Sequence, residues 1–232
     1  PSIGNAFIHS SKNGGIARTF SGIYLGGQFG QIIVNLGDVN NNGFDDVAIY
    51  EHDPVYFFSP IVVLDTSTQN GIPLYYIPSY NYDFENAGDV NGDNINDLVT
   101  LSTPYFSPPF LSYYDGTNGV LIRVTAAPAI ANGASSITSV GDLDNDGIFD
   151  TLIGYPYTFI NPVESITIVS GATGSLIFQA NNPNPLSASL FGFSAANIGD
   201  FNGDSVSDFA VGAPGSGPAV GPISPGTVYL YS

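Results

Sequence analysis

The sequence predicts an all-β protein built from four copies of one repeat, on three observations. Glycine occurs 28 times and proline 17 times, which is too often for helices of ordinary length. Apolar residues do not recur at the 3.6-residue spacing of an amphipathic helix. An acidic motif that starts with Gly-Asp occurs four times, with its first Asp at 38, 89, 142 and 200 and intervals of 51, 53 and 58 residues. One repeat per fifty-odd residues is typical of the four-stranded blade of a β-propeller.

Short apolar runs bounded by turn residues predict the strands of each repeat. The second strand follows the acidic motif directly, at 47–50, 98–101, 151–154 and 209–212. The third strand is predicted at 61–64, 111–114, 165–169 and 228–231. Gly-bearing turns at 117–119 and 172–174 then lead into fourth strands at 120–124 and 175–179, which is the pattern of a hairpin.

The two ends of the chain predict how the ring closes. Residues 6–9, the turn 12–15 and residues 16–20 match the third and fourth strands of a repeat, while the C-terminus ends on a third strand. We therefore expect one propeller domain over 1–232, with a ring seam formed by the N- and C-terminal strands. Third-strand segments number five against four of each other kind. The surplus strand is expected to be either an added outer strand or a strand donated to a neighbouring molecule.

The acidic motif predicts a calcium loop, because oxygen-bearing side chains alternate along it as a hard cation requires. Loop positions 1, 3, 5 and 9 are Asp38, Asn40, Asn42 and Asp46 in loop one; Asp89, Asn91, Asp93 and Asp97 in loop two; Asp142, Asp144, Asp146 and Asp150 in loop three; and Asp200, Asn202, Asp204 and Asp208 in loop four. Position 7 is expected to give a backbone carbonyl, from Phe44, Ile95, Ile148 and Val206. The sequence thus predicts up to four Ca²⁺ ions.

A different metal site, or a turn without any metal, fits the motif less well. An EF-hand needs a Glu at position 12 and flanking helices, whereas position 12 here is Ile49, Thr100, Ile153 and Val211, each in a predicted strand. Zinc and copper favour His or Cys, which the loops lack, and magnesium demands stricter octahedral geometry. Asx-rich turns can also satisfy their own backbones without a metal. Four such turns in register, each gathering carboxylates that repel one another, favour the cation instead.

The charge balance excludes several classes of partner. Three Lys and Arg residues stand against twenty Asp and Glu, for a formal charge of −17. This balance argues against nucleic acid, anionic membrane surfaces and phosphate-bearing substrates. Four bound Ca²⁺ would bring the charge to −9, so we expect calcium to stabilise the fold, with loop three binding most tightly and loop one least. No apolar run is long enough to span a bilayer. The start at Pro1 without a signal peptide is interpreted as a mature or trimmed product.

The chain resembles the FG-GAP repeats of integrin alpha-subunit propellers. The fourth repeat carries the resemblance with Phe191-Gly-Phe-Ser, Gly199-Asp-Phe-Asn-Gly-Asp, Asp208 and Val211-Gly-Ala-Pro. The first repeat keeps Phe29-Gly30, the second has Phe84-Glu85 at this place, and the third lacks the pair. The resemblance implies loops between the first and second strands of each blade, a mainly structural calcium role, and an adhesive or ligand-binding protein outside the cell. Integrin propellers have seven blades, so four repeats imply a small closed ring, a fragment, or assembly with other copies.

The connectors after the second strands are aromatic and proline-rich, which predicts a ligand-binding face opposite the calcium loops. The residues in question are Tyr56, Phe57, Phe58, Tyr105, Phe106, Tyr157 and Phe159. Exposed aromatic side chains in rigid loops are good anchors for sugars or proteins. The alternative is that these rings fill space between blades or cap the core.

Catalytic signals are weak. Neither His9 nor His52 belongs to a catalytic motif, the chain has no Cys nucleophile, and the three Glu residues outside the loops (Glu51, Glu85 and Glu164) form no pair. We therefore expect a non-enzymatic, calcium-binding extracellular propeller that acts as a structural or adhesive surface protein and self-assembles through strand exchange. A carbohydrate-binding lectin that uses the aromatic face is the alternative, and a glycan hydrolase is the weaker third hypothesis.

Overall fold

The computed structural model describes residues 3–24, 27–52, 59–78, 83–104, 108–128, 133–156, 164–184, 189–215 and 225–232. These residues form seventeen β-strands, and none of them lies in a helix. The all-β prediction is therefore confirmed. No helix in the described part of the chain has the length and apolar character needed to cross a bilayer.

The strands form five antiparallel sheets in chain order. The first sheet is a hairpin of β1 (Asn5–His9) and β2 (Ile16–Ser21). The second contains β3 (Ile33–Gly37), β4 (Asp46–Tyr50), β5 (Ile61–Asp65) and β6 (Ile72–Ile77). The third contains β7 (Asp83–Gly88), β8 (Asp97–Ser102), β9 (Phe110–Tyr114) and β10 (Leu121–Ala126). The fourth contains β11 (Ser136–Gly141), β12 (Asp150–Tyr155), β13 (Ser165–Val169) and β14 (Leu176–Asn181). The fifth contains β15 (Ser194–Gly199), β16 (Asp208–Ala213) and β17 (Thr227–Tyr231).

The four repeats are arranged as the blades of a β-propeller, as the sequence predicts. Each sheet after the first is a meander whose strands follow one another in sequence order. The first strands of successive repeats are neighbours in space, with β3 beside β7, β7 beside β11, and β11 beside β15. Packing of one sheet face against the next produces this stack of blades.

Apolar side chains between neighbouring sheets form the core. Val63 and Ile77 of one blade meet Phe84 and Leu98 of the next. Two more layers of this kind lie between β7–β10 and β11–β14, and between β11–β14 and β15–β17. Each blade therefore depends on its neighbours to cover both of its faces, because a single sheet cannot bury its own apolar surface.

The predicted ring seam does not form among the described strands. The β1–β2 hairpin is a separate two-stranded sheet, and Ala6 and Phe20 pack it against Ile49 and Val62 of the β3–β6 blade. At the other end β17 pairs with β16 and supplies the third strand of the last blade. Because β17 already occupies the edge of β16, the N-terminal hairpin stays a separate sheet beside the β3–β6 blade.

The strand register also corrects the predicted equivalence of Phe84-Glu85 with Phe191-Gly192. Phe191 is buried just before β15, and Phe29 is buried just before β3. Phe84 instead lies inside β7 and pairs with Thr100, at the strand position that Ala195 holds in β15. Phe84-Glu85 is therefore not the counterpart of Phe191-Gly192. By register that counterpart is residues 80–81, which lie outside the described residues.

Candidate metal centres

Each acidic loop connects the first strand of a repeat to the second. The loop starts after a glycine that ends the first strand, as Gly141 ends β11, and its last residue begins the second strand, as Asp150 begins β12. All four loops have this placement. The resemblance to integrin propellers implies this position.

Loop three gathers three carboxylates. The two oxygens of Asp142 accept hydrogen bonds from the backbone N–H groups of Asp146 (3.0 Å) and Gly147 (2.9 Å). Asp144 Oδ1 also accepts from the Asp146 N–H, at 3.2 Å. In this arrangement one ligand atom each from Asp142, Asp144 and Asp146 lies within 4.8 Å of the others. Three carboxylates at such distances repel one another unless a cation lies among them.

The same hydrogen bonds recur in the other three loops. In each, the position 1 carboxylate accepts from the N–H groups of positions 5 and 6, the position 3 side chain accepts from the position 5 N–H, and the position 5 side chain accepts from the position 7 N–H. The position 5 and position 7 donors are Asn42 and Phe44, Asp93 and Ile95, and Asp204 and Val206. A single backbone path thus turns the side chains of positions 1, 3 and 5 inward in all four repeats.

Positive φ angles at positions 4 and 6 make this path possible. The residues concerned are Asn41 and Gly43, Gly92 and Asn94, Asn145 and Gly147, and Gly203 and Ser205, with φ between 58° and 93°. Each loop has one glycine in the pair, and Asn or Ser takes the other place. Glycine adopts this region without steric cost, and Asn is among the residues that tolerate it best.

The position 9 aspartates are buried, and in the first three repeats they connect the loop to the hairpin after the third strand. Asp46, Asp97 and Asp150 are 0% exposed and Asp208 is 1% exposed. Asp150 Oδ2 accepts from the Leu143 N–H (2.7 Å) and its Oδ1 accepts from the N–H of residue 171 (2.9 Å). Asp150 lies outside the group of three carboxylates in its loop. Its predicted role as a ligand stays a prediction.

Burial also affects the protonation of these aspartates. Desolvation raises the pKa of Asp97 to about 6, against the backbone hydrogen bonds that favour the charged form. The pKa of Asp150 is also raised to about 6 by burial. A group whose pKa is raised by desolvation gains the most from a neighbouring cation, because the cation restores the charged form.

The oxygen-only donor set fits a hard cation in each loop. In loops two and four the Asn side chain at position 3 turns its oxygen toward a backbone N–H group and its amide N–H group toward a carboxylate. Asn202 Nδ2 donates to Asp204 Oδ2 at 2.8 Å and holds the pKa of Asp204 below its usual range. Loop one has two acidic ligand positions and loop three has four. The repulsion between carboxylates that a cation would relieve is therefore greatest in loop three.

In three repeats, the residue after the paired end of the third strand forms a hydrogen bond with a loop side chain. The sequence pattern did not predict these contacts. Asp65 Oδ1 accepts from Asn42 Nδ2 at 3.0 Å, and the Ser170 hydroxyl donates to Asp146 Oδ2 at 3.1 Å. In the last repeat the Ser232 hydroxyl accepts from Asn202 Nδ2 at 3.0 Å. Each of these residues directly follows the third-strand residue that pairs with loop position 10. These residues therefore share a position in the strand register, and no sequence motif marks them.

Neighbouring loops touch one another along one rim. In loops two, three and four, the position 8 residue lies over the glycine that precedes the loop before it. Asn96 approaches Gly37, the Phe149 ring lies above Gly88, and the Ser207 side chain lies above Gly141. Asn96 Nδ2 also donates to the Leu36 carbonyl at 2.9 Å. No described atom approaches Gly199 in this way.

The other residues that the sequence analysis singles out lie away from the acidic loops or outside the described residues. All seven aromatic residues of the predicted ligand face lie outside the described residues. Glu51 and Glu164 serve as structural acceptors, for the Ile23 N–H and for the Leu190 and Phe191 N–H groups respectively. His9 contacts the Gly14 carbonyl and His52 the Ser59 hydroxyl, so neither histidine contacts an acidic loop.

Comparisons with known proteins agree with this architecture. Residues 191–231 match the FG-GAP repeat family model. The chain is 39% identical to integrin alpha-3 of Cricetulus griseus over 105 residues, which is 41% of this chain and 9% of that protein. It is 29% identical to integrin alpha-PS5 of Drosophila melanogaster over 162 residues, or 62% of this chain and 15% of that protein. The aligned region is thus a small part of these relatives.

Among solved structures, the chain is similar to an exotype rhamnogalacturonan lyase, with a TM-score of 0.54 and 12% identity over 90% of this chain and 40% of the lyase. A Bacillus licheniformis rhamnogalacturonan lyase gives the same TM-score and identity, with 42% of its chain covered. At this identity the likeness concerns the fold alone. Residues 191–231 therefore match an FG-GAP repeat, and the chain is similar in sequence to integrin alpha-subunits, on a propeller-like fold.

Proposed function

We propose that this chain is a calcium-binding propeller that works outside the cell as a structural or adhesive surface protein. The observation that carries the proposal is the convergence of Asp142, Asp144 and Asp146 within 4.8 Å, on a backbone path that the other three loops repeat. Oxygen ligands on a tight loop suit Ca²⁺, which takes roughly 6–8 oxygens in flexible geometry. Up to four ions are proposed, one for each loop.

The loop residues have distinct proposed roles. Side chains at positions 1, 3 and 5 would hold the ion, and the carbonyls of Phe44, Ile95, Ile148 and Val206 would complete the shell with the position 9 carboxylates and water. The bound ion would supply positive charge that offsets carboxylate repulsion. Because each loop joins two strands of one blade and touches the next loop, ion binding would stabilise the rim of the fold.

The adhesive role rests on the similarity to integrin alpha-subunits, and the sequence alignment covers about a tenth of integrin alpha-3. The proposed location outside the cell rests on the same similarity. We propose no catalytic activity for the chain, because the acidic loops fit cation binding and Glu51 and Glu164 accept backbone hydrogen bonds. Self-assembly through strand exchange is a separate element of the proposal.

Calcium titration tests the metal proposal. Protein freed of divalent ions is expected to bind calcium in calorimetry and to unfold at higher temperature when calcium is added. Each site would contribute about 2.7 kcal/mol at free calcium 100 times its Kd. For every variant the readout is the difference between melting in calcium and in chelator, which separates ion binding from damage to the apo fold.

Matched variants sharpen this test. Asp146→Asn is expected to remove a larger part of the calcium response than the same change at Asp83, which lies at the start of β7, outside the loops. Asn42→Asp is expected to tighten loop one, because it adds a carboxylate to the loop with the fewest. Melting that is identical in calcium and chelator, with no heat of binding, would refute the metal proposal.

A further inference from the structure

Three side chains at one register position reach from their own sheet to the next sheet along the chain. In β2, β6 and β10 the pairing with the preceding strand shifts by one residue, and the residue just after the shift is Arg18, Tyr75 and Arg123 respectively. Each of them hydrogen-bonds a backbone carbonyl 41 to 49 positions further along the chain. Two of the three basic residues of the chain are used in this way. We call these three residues the clasp residues.

The acceptor of each clasp residue lies in the turn after a third strand. The donors and acceptors are Arg18 Nε and the Thr66 carbonyl (3.2 Å), the Tyr75 hydroxyl and the Gly116 carbonyl (2.5 Å), and Arg123 Nη1 and the Ala172 carbonyl. The three turns follow β5, β9 and β13. Each turn is thus held by the last strand of the sheet before its own.

The same turns bind the position 9 aspartates of the acidic loops. The N–H of Thr66 donates to Asp46 (3.3 Å), that of Gly116 to Asp97 (2.9 Å) and that of Gly171 to Asp150 (2.9 Å). Thr66 and Gly116 therefore bind the aspartate with their N–H and the clasp residue with their carbonyl. In the β11–β14 blade the two bonds are made by the neighbouring residues Gly171 and Ala172. One or two turn residues thus separate each clasp residue from an acidic loop of the next sheet.

Each turn also packs closely against its loop. A Cβ on Gly116 would lie 1.8 Å from the carbonyl oxygen of Asn96, at loop position 8. A Cβ on Gly171 would lie 1.9 Å from the carbonyl oxygen of Phe149, at the same loop position. In loop one this place is held by Thr66, whose hydroxyl donates to the position 8 carbonyl at 2.5 Å. Because there is no free space between turn and loop, a displaced turn would also displace loop positions 8 and 9.

Tyr75 is the clasp residue whose contact can be removed most cleanly, because only its hydroxyl makes the bond. Burial, together with the negative charges of Asp115, Asp97 and Asp46, raises the pKa of Tyr75, so the hydroxyl stays protonated and remains a donor. Arg123, in contrast, also lies over an aromatic ring, 4.3 Å from its centroid. Its replacement would therefore remove more than the contact with the turn.

We propose that Arg18, Tyr75 and Arg123 are positioning residues for the cation loop of the sheet that follows their own. Each holds the turn whose N–H orients the position 9 carboxylate, as an outer group orients the ligands of a metal site. Ion binding in loops one, two and three is thereby linked to the packing of the preceding sheet. The link to calcium rests on the proposed function, whereas the positioning of the aspartates requires no ion.

Glycines at matched positions allow two blades to be followed separately by NMR with isotope-labelled glycine. The N–H groups of Gly116 and Gly171 report the contacts of the two turns with their position 9 aspartates. The N–H groups of Gly92 and Gly147 donate to the position 1 carboxylates of loops two and three, so they report ion binding. Each blade thus has one reporter in the turn and one in the loop.

The turn contact is measured first, by amide hydrogen exchange in chelator. Tyr75→Phe removes only the hydroxyl, and we expect about threefold or faster exchange at Gly116 with no change at Gly171. Arg123→Met is expected to give the reverse pattern. Unchanged exchange at Gly116 in Tyr75→Phe, or equal changes at both glycines, would overturn the proposed positioning.

Tyr155→Phe is the matched control. Tyr155 is a buried tyrosine whose hydroxyl also donates to a carbonyl of another blade, that of Pro128 at 3.3 Å, but this contact involves no turn beside an acidic loop. We expect the control to lower the melting temperature and to leave the ratio of the Gly116 and Gly171 exchange rates unchanged. A change in this ratio as large as that of Tyr75→Phe would show a general loss of stability and overturn the positioning role.

Calcium titration of the same proteins then tests the link to ion binding. We expect Tyr75→Phe to weaken calcium binding about three- to tenfold at Gly92 and to leave Gly147 unchanged. This effect is smaller than the roughly 10–100-fold loss for a group that contacts a metal ligand directly, because Tyr75 acts through the turn. Tyr155→Phe is expected to bind calcium as the unchanged protein does.

The two proposals fail separately. Loop glycines of the unchanged protein that do not respond to calcium would refute the metal proposal, and hydrogen exchange in chelator would still decide the positioning of the aspartates. A calcium response that is the same in Tyr75→Phe as in the unchanged protein would support the metal proposal. That result would overturn the link between ion binding and the packing of the preceding sheet.

Discussion

The β11–β14 and β15–β17 blades share one loop geometry and differ in burial. Loops three and four have matching hydrogen bonds at positions 1, 3 and 5. Strand β13 is buried at every residue, whereas β17 is exposed or half-buried throughout. The acidic loop is therefore built by its own repeat, while burial of the third strand needs a fourth strand and a following blade. The geometry of the acidic loops and the burial of the blades thus depend on different parts of the chain.

The largest difference between the two blades is expected at two glycines that share a register position. Gly154 of β12 and Gly212 of β16 both lie three residues after the first paired residue of the second strand. A Cβ on Gly154 would meet the Gly192 carbonyl of the following repeat at 1.9 Å, whereas the nearest atom to one on Gly212 would be the Ser194 hydroxyl at 2.5 Å. We expect Gly154→Ala to cost about 3 kcal/mol or more in urea unfolding, and Gly212→Ala about 1 kcal/mol or less. Similar losses would show that β12 and β16 are equally constrained.

A smaller difference is expected between the position 9 aspartates. Asp150→Ala removes acceptors for both the Leu143 and Gly171 N–H groups, so it breaks the bridge from loop to hairpin. Asp208→Ala breaks only bonds within its loop and removes a buried oxygen that has no donor among the described residues. In chelator at a pH of about 7.5, Asp150→Ala should be the more destabilising by about 1–2 kcal/mol. Chemical denaturation measures this, and a larger loss at Asp208 would contradict the expected order.

The smallest effect concerns pH. Asp83 of β7 accepts the Ile137 N–H of the next blade at 2.9 Å, and burial raises its pKa to about 6. Burial likewise raises the pKa of Glu85, to about 7. The native state then holds more protons than the unfolded chain between about pH 4 and 7, so stability should fall as pH rises through this range. In the last blade Ser194 holds the position of Asp83, so no carboxylate titrates at that position.

Asp83→Asn is expected to flatten the lower part of this profile, by at most about 1.4 kcal/mol per pH unit for one group. The amide oxygen still accepts the Ile137 N–H, so the contact between the blades is kept. Unfolding is measured in chelator, because protons and calcium would otherwise compete for the loops. An unchanged slope would mean that Asp83 stays ionised across the range.

The features that the sequence predicted correctly are those encoded by short local patterns. The second and third strands follow from short apolar runs such as 98–101, and the loops from alternating oxygen side chains within nine residues. The seam could not be predicted, because it depends on whether β17 or β1 takes the edge of β16. The contacts of Asp65 and Ser170 with the loops were missed for the same reason, since residues 23 or 24 positions apart meet only after the strands pair.

The contact of each loop with the one before it has a consequence for how such repeats can change. The intervals between loops vary from 51 to 58 residues, yet Asn96, Phe149 and Ser207 each reach the same glycine position of the preceding loop. The distance between successive acidic loops is thus set by these side-chain contacts and not by the length of the chain between the loops. Insertions in the connectors are therefore tolerated without a change in the distance between ion sites, which leaves those connectors free to diversify.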